Sequence, residues 1–225
     1  MLQKLQEFND CIREAIEIII SIRGNAEVRI FDIFDIKYMN KKDIFTKRDI
    51  RENGKEVIFY GDISRKYDCF AQEIINRIDE ESYEKATKVE KGQILVNLED
   101  FDDKDIGRCV LYQNDVPAAI NGNVAILTLK DSFKDIINLK YISFYLNYKD
   151  EVRNYIYKKA TGEKVKRLAK SDFKVIEIEI PALETQNKII HNFLELKKNF
   201  VTKINDLEKS INTIEAHSKI YGLYF

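Results

Sequence analysis

The chain has 225 residues, enough for one large domain or a medium-sized domain with an appendage, and its 44% apolar and 33% charged residues are typical of a soluble protein with a highly charged surface. A formal net charge of -1 argues against a uniformly basic nucleic-acid-binding protein. The three cysteines, Cys11, Cys69 and Cys109, form no C-x-x-C pair, which disfavours zinc or redox chemistry and favours a reducing cytoplasm.

Residues 1–23 are predicted to form an N-terminal helix, because apolar residues recur at steps of three and four up to Ile19 and Gly24-Asn25 then supplies a stop signal. The apolar stretch from Ile16 to Ile22 contains Glu17, and no small-residue cleavage site follows it. This stretch therefore predicts neither a signal peptide nor a membrane span.

Residues 24–181 are predicted to form one α+β domain with a mixed or antiparallel sheet. Short apolar runs between turn residues indicate strands at 57–60, 94–98, 108–112 and 124–129. Helices are predicted at Ala71–Arg77 and Asp135–Tyr155. The run Phe173–Ile180 alternates apolar and charged residues, as a half-buried strand does, and Pro181 ends it because proline lacks a backbone donor.

Residues 182–225 are predicted to form a long helix that pairs in a coiled coil. Apolar residues recur there at steps of three and four, and the run spans about 38 Å at ~1.5 Å per residue. A single apolar stripe on a lone helix needs a partner, which is the N-terminal helix, a second copy of the chain or another protein. The predicted interface residues are Ile189, Phe193, Leu196, Phe200, Ile204, Leu207, Ile211 and Ile214.

Charge is segregated along the chain although its sum is close to zero. Residues 37–55 carry seven basic and three acidic groups, and residues 151–174 carry eight and three. Residues 73–105, between them, carry eleven acidic and five basic groups. This pattern permits a positive face for nucleic acid, while ordinary solvated surfaces explain it equally well.

Catalytic, metal and cofactor sites are not predicted. No G-x-G pair or P-loop is present, and His191 and His217 lie on the long helix without a cysteine nearby. The acids at 99–105 do not follow the ligand order of an EF-hand, so an exposed acidic loop is favoured over a divalent cation site.

Several segments resemble, in order and spacing, those of type I restriction-modification specificity subunits. Ile180 to Ile190 resembles the "I-P-x-P-x-x-x-Q-x-x-I" junction between a target recognition domain and the long helix. Upstream, Lys91 to Val96 resembles the "K-G-D-I-L-I" strand and Ile106 to Leu111 the "I-G-R" strand. The resemblance extends from Val89 to Ile214. Members commonly carry two recognition domains and two long helices, so this chain resembles a half-sized subunit.

The resemblance implies a DNA reader that has no catalytic groups of its own. Basic side chains would bind phosphates, and polar side chains beside turns would reach base edges. The predicted phosphate contacts are Lys41, Lys42, Lys47, Lys158, Lys159, Lys164 and Lys166. The predicted base contacts are Arg48, Arg51, Arg65, Tyr67, Asn121, Asn123 and Arg167.

The resemblance also implies partners. They are double-stranded DNA, a modification subunit that methylates adenine, an ATP-driven restriction subunit, and a second copy or complementary half that pairs through the long helix. Such a pair would read two half-sites at a fixed separation. Two other classes stay open, an interaction protein or decoy that binds the other subunits without reading DNA and a metal-dependent nuclease that uses the acids at 99–105.

Overall fold

The computed structural model describes residues 26–39, 45–102 and 104–220, with side chains left out at 207 and 210–220. These residues belong to two compact units, one within Arg23–Gln186 and one that contains the helix from Asn187 onward. We call the first the mixed-sheet unit and the second the helical unit. The helix predicted at residues 1–23 lies outside the described residues.

The strands, in chain order, are β1 Glu27–Arg29, β2 Phe34–Tyr38, β3 Lys55–Phe59, β4 Cys69–Ala71, β5 Asn76–Ile78, β6 Lys88–Val89, β7 Ile94–Asn97, β8 Glu99–Asp100, β9 Cys109–Tyr112, β10 Ala118–Asn121, β11 Val124–Leu129, β12 Lys166–Arg167 and β13 Glu177–Glu179. The α-helices are α1 Ile30–Ile33, α2 Tyr60–Arg65, α3 Glu80–Lys85, α4 Leu139–Tyr148, α5 Asp150–Lys159, α6 Lys170–Lys174 and α7 Leu183–Ile220. Short 3-10 helices cover Lys47–Asp49 and Asp131–Phe133.

The mixed-sheet unit is built on two larger sheets. One has the strand order β2-β11-β7-β9-β4, and the other has the order β5-β3-β10-β6. The pairs β4 with β9 and β3 with β10 are parallel, and the remaining pairs in these sheets are antiparallel. The prediction of an α+β fold with a mixed sheet is therefore confirmed.

The main core lies between the two sheets. Leu95, Val110 and Ile126 from the first sheet pack in one apolar cluster with Ile58 and Ile120 from the second. All five are at most 2% exposed, and burial of such a side chain contributes about 1.5–3 kcal/mol. Period-two alternation sends the side chains next to them in sequence to the opposite face of each sheet.

Helix α4 covers the other face of the five-stranded sheet. Its Ser143 hydroxyl donates to the carbonyl of Cys69 at 2.7 Å, and the Asn147 amide donates to the carbonyl of Cys109 at 2.8 Å and accepts from its N–H at 3.0 Å. The buried polar groups of the helix therefore satisfy strand ends that would otherwise be unpaired. None of the helices in the described part of the chain has the length and apolar character that a membrane crossing requires.

Strands predicted from the short apolar runs are confirmed in β3, β7, β9 and β11. The helix predicted at Ala71–Arg77 is wrong, because Ala71 ends β4 and Asn76 begins β5. The helix predicted at 135–155 is instead two helices, since Lys149 has extended backbone between them. In the predicted strand at 173–180, Phe173 belongs to α6, and only β13 is extended and pairs with β1.

The long C-terminal helix is confirmed. It begins at Leu183, two residues after Pro181, and continues to Ile220. The predicted coiled-coil residues all lie on it, and the backbone alone is described at Leu207, Ile211 and Ile214. Pairing of this helix with a partner stays a prediction.

Candidate nucleic-acid interface

The segment 45–51 presents three of the predicted DNA-contacting side chains, Lys47, Arg48 and Arg51, all of them exposed. Thr46 caps the short 3-10 helix, because its hydroxyl accepts from the Arg48 N–H at 3.2 Å while the Asp49 carboxylate accepts from the Thr46 N–H at 2.6 Å. No described acidic side chain forms a salt bridge with Lys47 or Arg48. Their charges are therefore available to an external anion.

Contacts with neighbouring strands hold both ends of this segment. Phe45 is 3% exposed and meets the Phe59 ring edge-on at a centroid distance of 5.8 Å. The Asn121 side-chain amide donates to the Phe45 carbonyl. At the other end, the Arg51 N–H donates to the carbonyl of Arg77 at 2.8 Å. Asn121, predicted to read bases, is thus used to position the basic segment.

The turn that carries Asn121 and Asn123 is tightly packed. Gly122 has a φ of +110°, and a Cβ there would lie 2.6 Å from the Cβ of Tyr60, so this position requires glycine. The Asn123 amide donates to the Glu99 carboxylate at 3.4 Å. Both asparagines are half-buried, and their amides bond to the protein itself.

The second basic segment, residues 151–174, exposes its first two predicted DNA contacts, Lys158 and Lys159, in the last turn of α5. The Lys159 ammonium lies 3.6 Å from the Asp172 carboxylate. Backbone hydrogen bonds in both directions between Thr161 and Arg167, at 3.0 and 2.8 Å, then close a loop that exposes Lys164. Lys166 and Arg167 continue as β12, which pairs antiparallel with β8.

Three of the predicted base contacts converge on β8. The Arg65 guanidinium lies 2.5 Å from the Asp100 carboxylate, and the Arg167 guanidinium lies 3.0 Å from the Glu99 carboxylate, to which Asn123 also donates. The side chains of Arg65 and Arg167 remain 46% and 55% exposed. The two arginines are therefore oriented by acids beneath them while part of each guanidinium group faces solvent.

The prediction of an exposed acidic loop is wrong at its first two residues. Glu99 is 8% exposed and Asp100 is fully buried. Besides Arg65, Asp100 accepts from the Asn97 amide at 2.7 Å and from the Ser64 hydroxyl at 3.4 Å, so its buried charge is compensated. No group of three or more His, Cys, Asp or Glu side chains in the described part of the chain is arranged to hold a metal ion.

Residues 98–107 form an excursion between β7 and β9 that we call the Phe101 loop, within which residue 103 is not described. Its ends meet where the Gly107 N–H donates to the Asn97 carbonyl at 2.8 Å. Gly107 has a φ of +70°, and a Cβ there would lie 2.8 Å from the side chain of Ile156. Close packing against α5 therefore fixes the exit of the loop.

Arg153 on α5 fixes the middle of the Phe101 loop from within. Its guanidinium donates to the carbonyls of Lys104 at 3.0 Å and Ile106 at 2.7 Å. Burial, and next the nearby charge of Arg108, lower the pKa of Arg153 to about 10. In the sequence Arg153 is only one cation of the basic segment 151–174, because its carbonyl partners lie almost fifty residues away and leave no local pattern.

Tyr67 differs most from its predicted position beside a turn. It is 9% exposed and belongs to the main core cluster. Its hydroxyl is buried without a hydrogen-bond partner among the described residues. Burial raises its pKa to about 12. Tyr67 therefore belongs to the interior. The predicted phosphate contacts Lys41 and Lys42 lie outside the described residues.

Five exposed candidates have no described acidic partner in salt-bridge contact: Lys47, Arg48, Arg51, Lys158 and Lys164. The Arg51 guanidinium donates to the carbonyls of Arg48 and Ile50, each at 3.2 Å. Such a set of exposed cations on ordered segments suits an anionic polymer, which needs charge at the surface more than a closed pocket.

The sequence matches the profile of the family described as the Type I restriction modification DNA specificity domain over residues 23–216. No curated protein matches the chain significantly.

Three solved structures are similar in fold. The HsdS subunit from Thermoanaerobacter tengcongensis is 14% identical with a TM-score of 0.60, covering 91% of this chain and 47% of that one. A structure on complex assembly and conformational transition of the type I R-M system is 16% identical with a TM-score of 0.59, covering 97% and 51%. The Type-I restriction-modification system S subunit from M. genitalium is 17% identical with a TM-score of 0.51, covering 86% and 45%. The chain thus spans about half the length of these structures.

Proposed function

Because this chain belongs to the family of type I restriction modification DNA specificity domains, we propose that it selects the DNA sequence on which a type I restriction-modification system acts. The family match over residues 23–216 is the observation that carries the proposal. The match covers the mixed-sheet unit and most of α7, so we assign this function to the two together.

The chemistry assigned to the chain is recognition without catalysis. Specificity domains of this family contribute no catalytic group in general. In this chain the buried acids Glu99 and Asp100, which a metal-dependent nuclease would use, are instead bound to Arg167 and Arg65. We therefore assign methylation and cleavage, with their cofactors, to separate subunits.

Phosphate binding is assigned to the exposed cations of the two basic segments. Each cation that neutralises a phosphate releases condensed counterions, and this gives DNA binding its dependence on salt. Lys47 and Lys164 supply point charges, while Arg48 and Arg51 have the planar fork that matches the O6 and N7 atoms of guanine. Arg65 and Arg167 are proposed to read bases from the positions in which Asp100 and Glu99 hold them.

The partners are proposed from the resemblance. The chain spans about half of the specificity subunits it resembles, and we assign its one recognition domain to one half of a bipartite target. A second copy, or a complementary half, would pair through α7 and bring the second half-site reader. Two identical halves would read a palindromic split site. The pair would dock onto modification and restriction subunits in the cytoplasm, where the DNA is.

The decisive experiment compares DNA methylation in cells with and without the gene. A methylated motif that disappears when the gene is deleted supports the proposal, and its symmetry and spacer report how the halves pair. Restoration of the gene should restore the motif. If the methylated positions are the same with and without the gene while the chain still purifies with modification subunits, the chain is an interaction protein and not a reader.

A further inference from the structure

The Phe101 loop carries an aromatic side chain, Phe101, that is not part of the core of the unit. Phe101 is 66% exposed, more than any other large hydrophobic side chain in the described part of the chain. A single exposed apolar side chain is common at a protein surface, and Phe101 is distinguished by the hydrogen bonds that hold its backbone. We propose that Phe101 is a specificity-determining residue that contacts a base of the DNA target. This inference rests on the proposed function.

The backbone around Phe101 is held in place before any ligand arrives. The Asp100 carboxylate accepts from the Phe101 N–H at 2.7 Å and from the Asp102 N–H at 3.3 Å. That carboxylate is itself fully buried and bound by Arg65. From the other side, Arg153 bonds to two carbonyls of the same loop. A side chain on such a frame binds with little loss of conformational entropy.

Three acids of the described part of the loop, Asp100, Asp102 and Asp105, contact other groups of the protein. Asp100 is compensated by Arg65, and Asp102 accepts from the Lys104 N–H at 2.9 Å. The Asp105 carboxylate lies 3.7 Å from the Arg65 guanidinium. Burial, and next the charge of Asp100, raise the pKa of Asp105 above the usual value of an aspartate.

Cations surround the base of the loop. β12 pairs with β8 immediately before Phe101, which places Lys166 opposite Asp100 and Arg167 opposite Glu99. Arg65 approaches the same strand from α2. An exposed aromatic ring on a loop whose base carries partly exposed arginines is complementary to a duplex, in which apolar base atoms lie next to anionic phosphates. This charge complementarity favours DNA over a protein as the occupant.

The chemistry of the ring defines what it can read. Phenylalanine has no hydrogen-bond donor or acceptor, so it recognises the methyl group of thymine in the major groove or the face of a base at a step that it wedges open. In both cases the preference is for a particular base or step. Loss of the ring should therefore relax the motif at one position and leave binding to unrelated DNA unchanged.

The test uses the full chain with its modification subunit in cells that have no other DNA methylation. Wild type defines the motif, and Phe101→Ala is compared with Ile136→Ala, which truncates another exposed apolar side chain of the same unit that is 50% exposed. We expect Phe101→Ala to weaken binding to the wild-type motif about tenfold, as a lost base contact does, and to relax one position of the methylated motif. Ile136→Ala should keep motif and affinity.

Two further measurements distinguish the possible failures. Phe101→Leu keeps apolar volume without the ring, so partial recovery of the motif supports the assignment. An unchanged motif and affinity for Phe101→Ala overturn the inference while the proposed function stands. Loss of co-purification with the modification subunit overturns it also, because Phe101 is then a protein contact. If wild type itself yields no motif, the proposed function fails and the inference with it.

Discussion

Gln186 offers the sharpest test of what holds the first turn of α7 within the mixed-sheet unit. Its side chain is fully buried at the start of α7. The amide nitrogen donates to the carbonyls of Ile136 and Pro181, both at 2.8 Å, and the amide oxygen accepts from the Asn138 N–H at 2.9 Å. One side chain thus satisfies backbone groups from the loop before α4 and from the turn after β13.

The substitution Gln186→Ala removes all of these hydrogen bonds. The group at Pro181 lies in a buried environment, whereas those at Ile136 and Asn138 are partly accessible to water. A buried orphan costs about 1–3 kcal/mol and each of the two rehydrated groups about 0.5–1.5 kcal/mol, so we expect a loss of about 2–6 kcal/mol. For a chain of this size that corresponds to a fall of about 4–24 °C in the unfolding temperature.

The assay is thermal and urea-induced unfolding followed by circular dichroism, since the chain has no tryptophan. Thr185→Ala is the matched control, because Thr185 is the exposed neighbour on the same helix. Gln186→Met keeps the volume but not the hydrogen bonds, and it should cost nearly as much as Gln186→Ala. If Gln186→Ala unfolds within about 2 °C of the Thr185→Ala control, the amide does not hold this junction and the reasoning is refuted.

Three other outcomes are expected. Asp100→Asn should lower the free energy of unfolding by about 1–3 kcal/mol, a range kept low because the Arg65 side chain is 46% exposed. A urea midpoint equal to that of wild type would show that the Arg65–Asp100 pair does not stabilise the fold. Cys109 has its pKa raised by burial from 9.0 to about 12, so above pH 9 the unfolded chain loses this proton while the folded chain keeps it. Stability should therefore fall with rising pH, by about 1 kcal/mol from this thiol between pH 9 and 10, and Cys109→Ala should fall less over that interval in urea titrations. The joint substitution of Lys47 and Arg48 by Ala should reduce the slope of log affinity against log salt by about 1.8 on nonspecific duplex DNA, and an unchanged slope would place the phosphates elsewhere.

Local pattern was sufficient for the strands of the main core. β7 and β11 are apolar runs bounded by glycine or asparagine turns, and nearly every residue in them is buried, so a continuous run identified them correctly. The same local signal failed at 71–77, where Ala71 ends β4 and Ile74 and Ile75 lie in the connection to β5. Segments of this length carry too little periodicity to separate helix from strand.

The sequence could not predict which cations pair with acids, because those contacts join residues far apart in the chain. The pairing of Arg65 with Asp100 joins residues 35 positions apart, and that of Arg167 with Glu99 joins residues 68 apart. A charged side chain looks the same in a sequence whether it contacts DNA or a buried acid. The basic segments were therefore located from composition, whereas the state of each cation and the burial of Glu99 required the fold.

The pairing of β1 with β13 has a consequence for how such chains diversify. Val28 lies directly opposite Ile178, and the Ile180 N–H donates to the Ala26 carbonyl at 2.9 Å, so the polypeptide enters and leaves this unit at adjacent points. A segment with neighbouring ends can be exchanged by recombination as a cassette, because the flanking polypeptide need not change its path. Inheritance of a new specificity would then require two crossovers and no redesign of the attached helix.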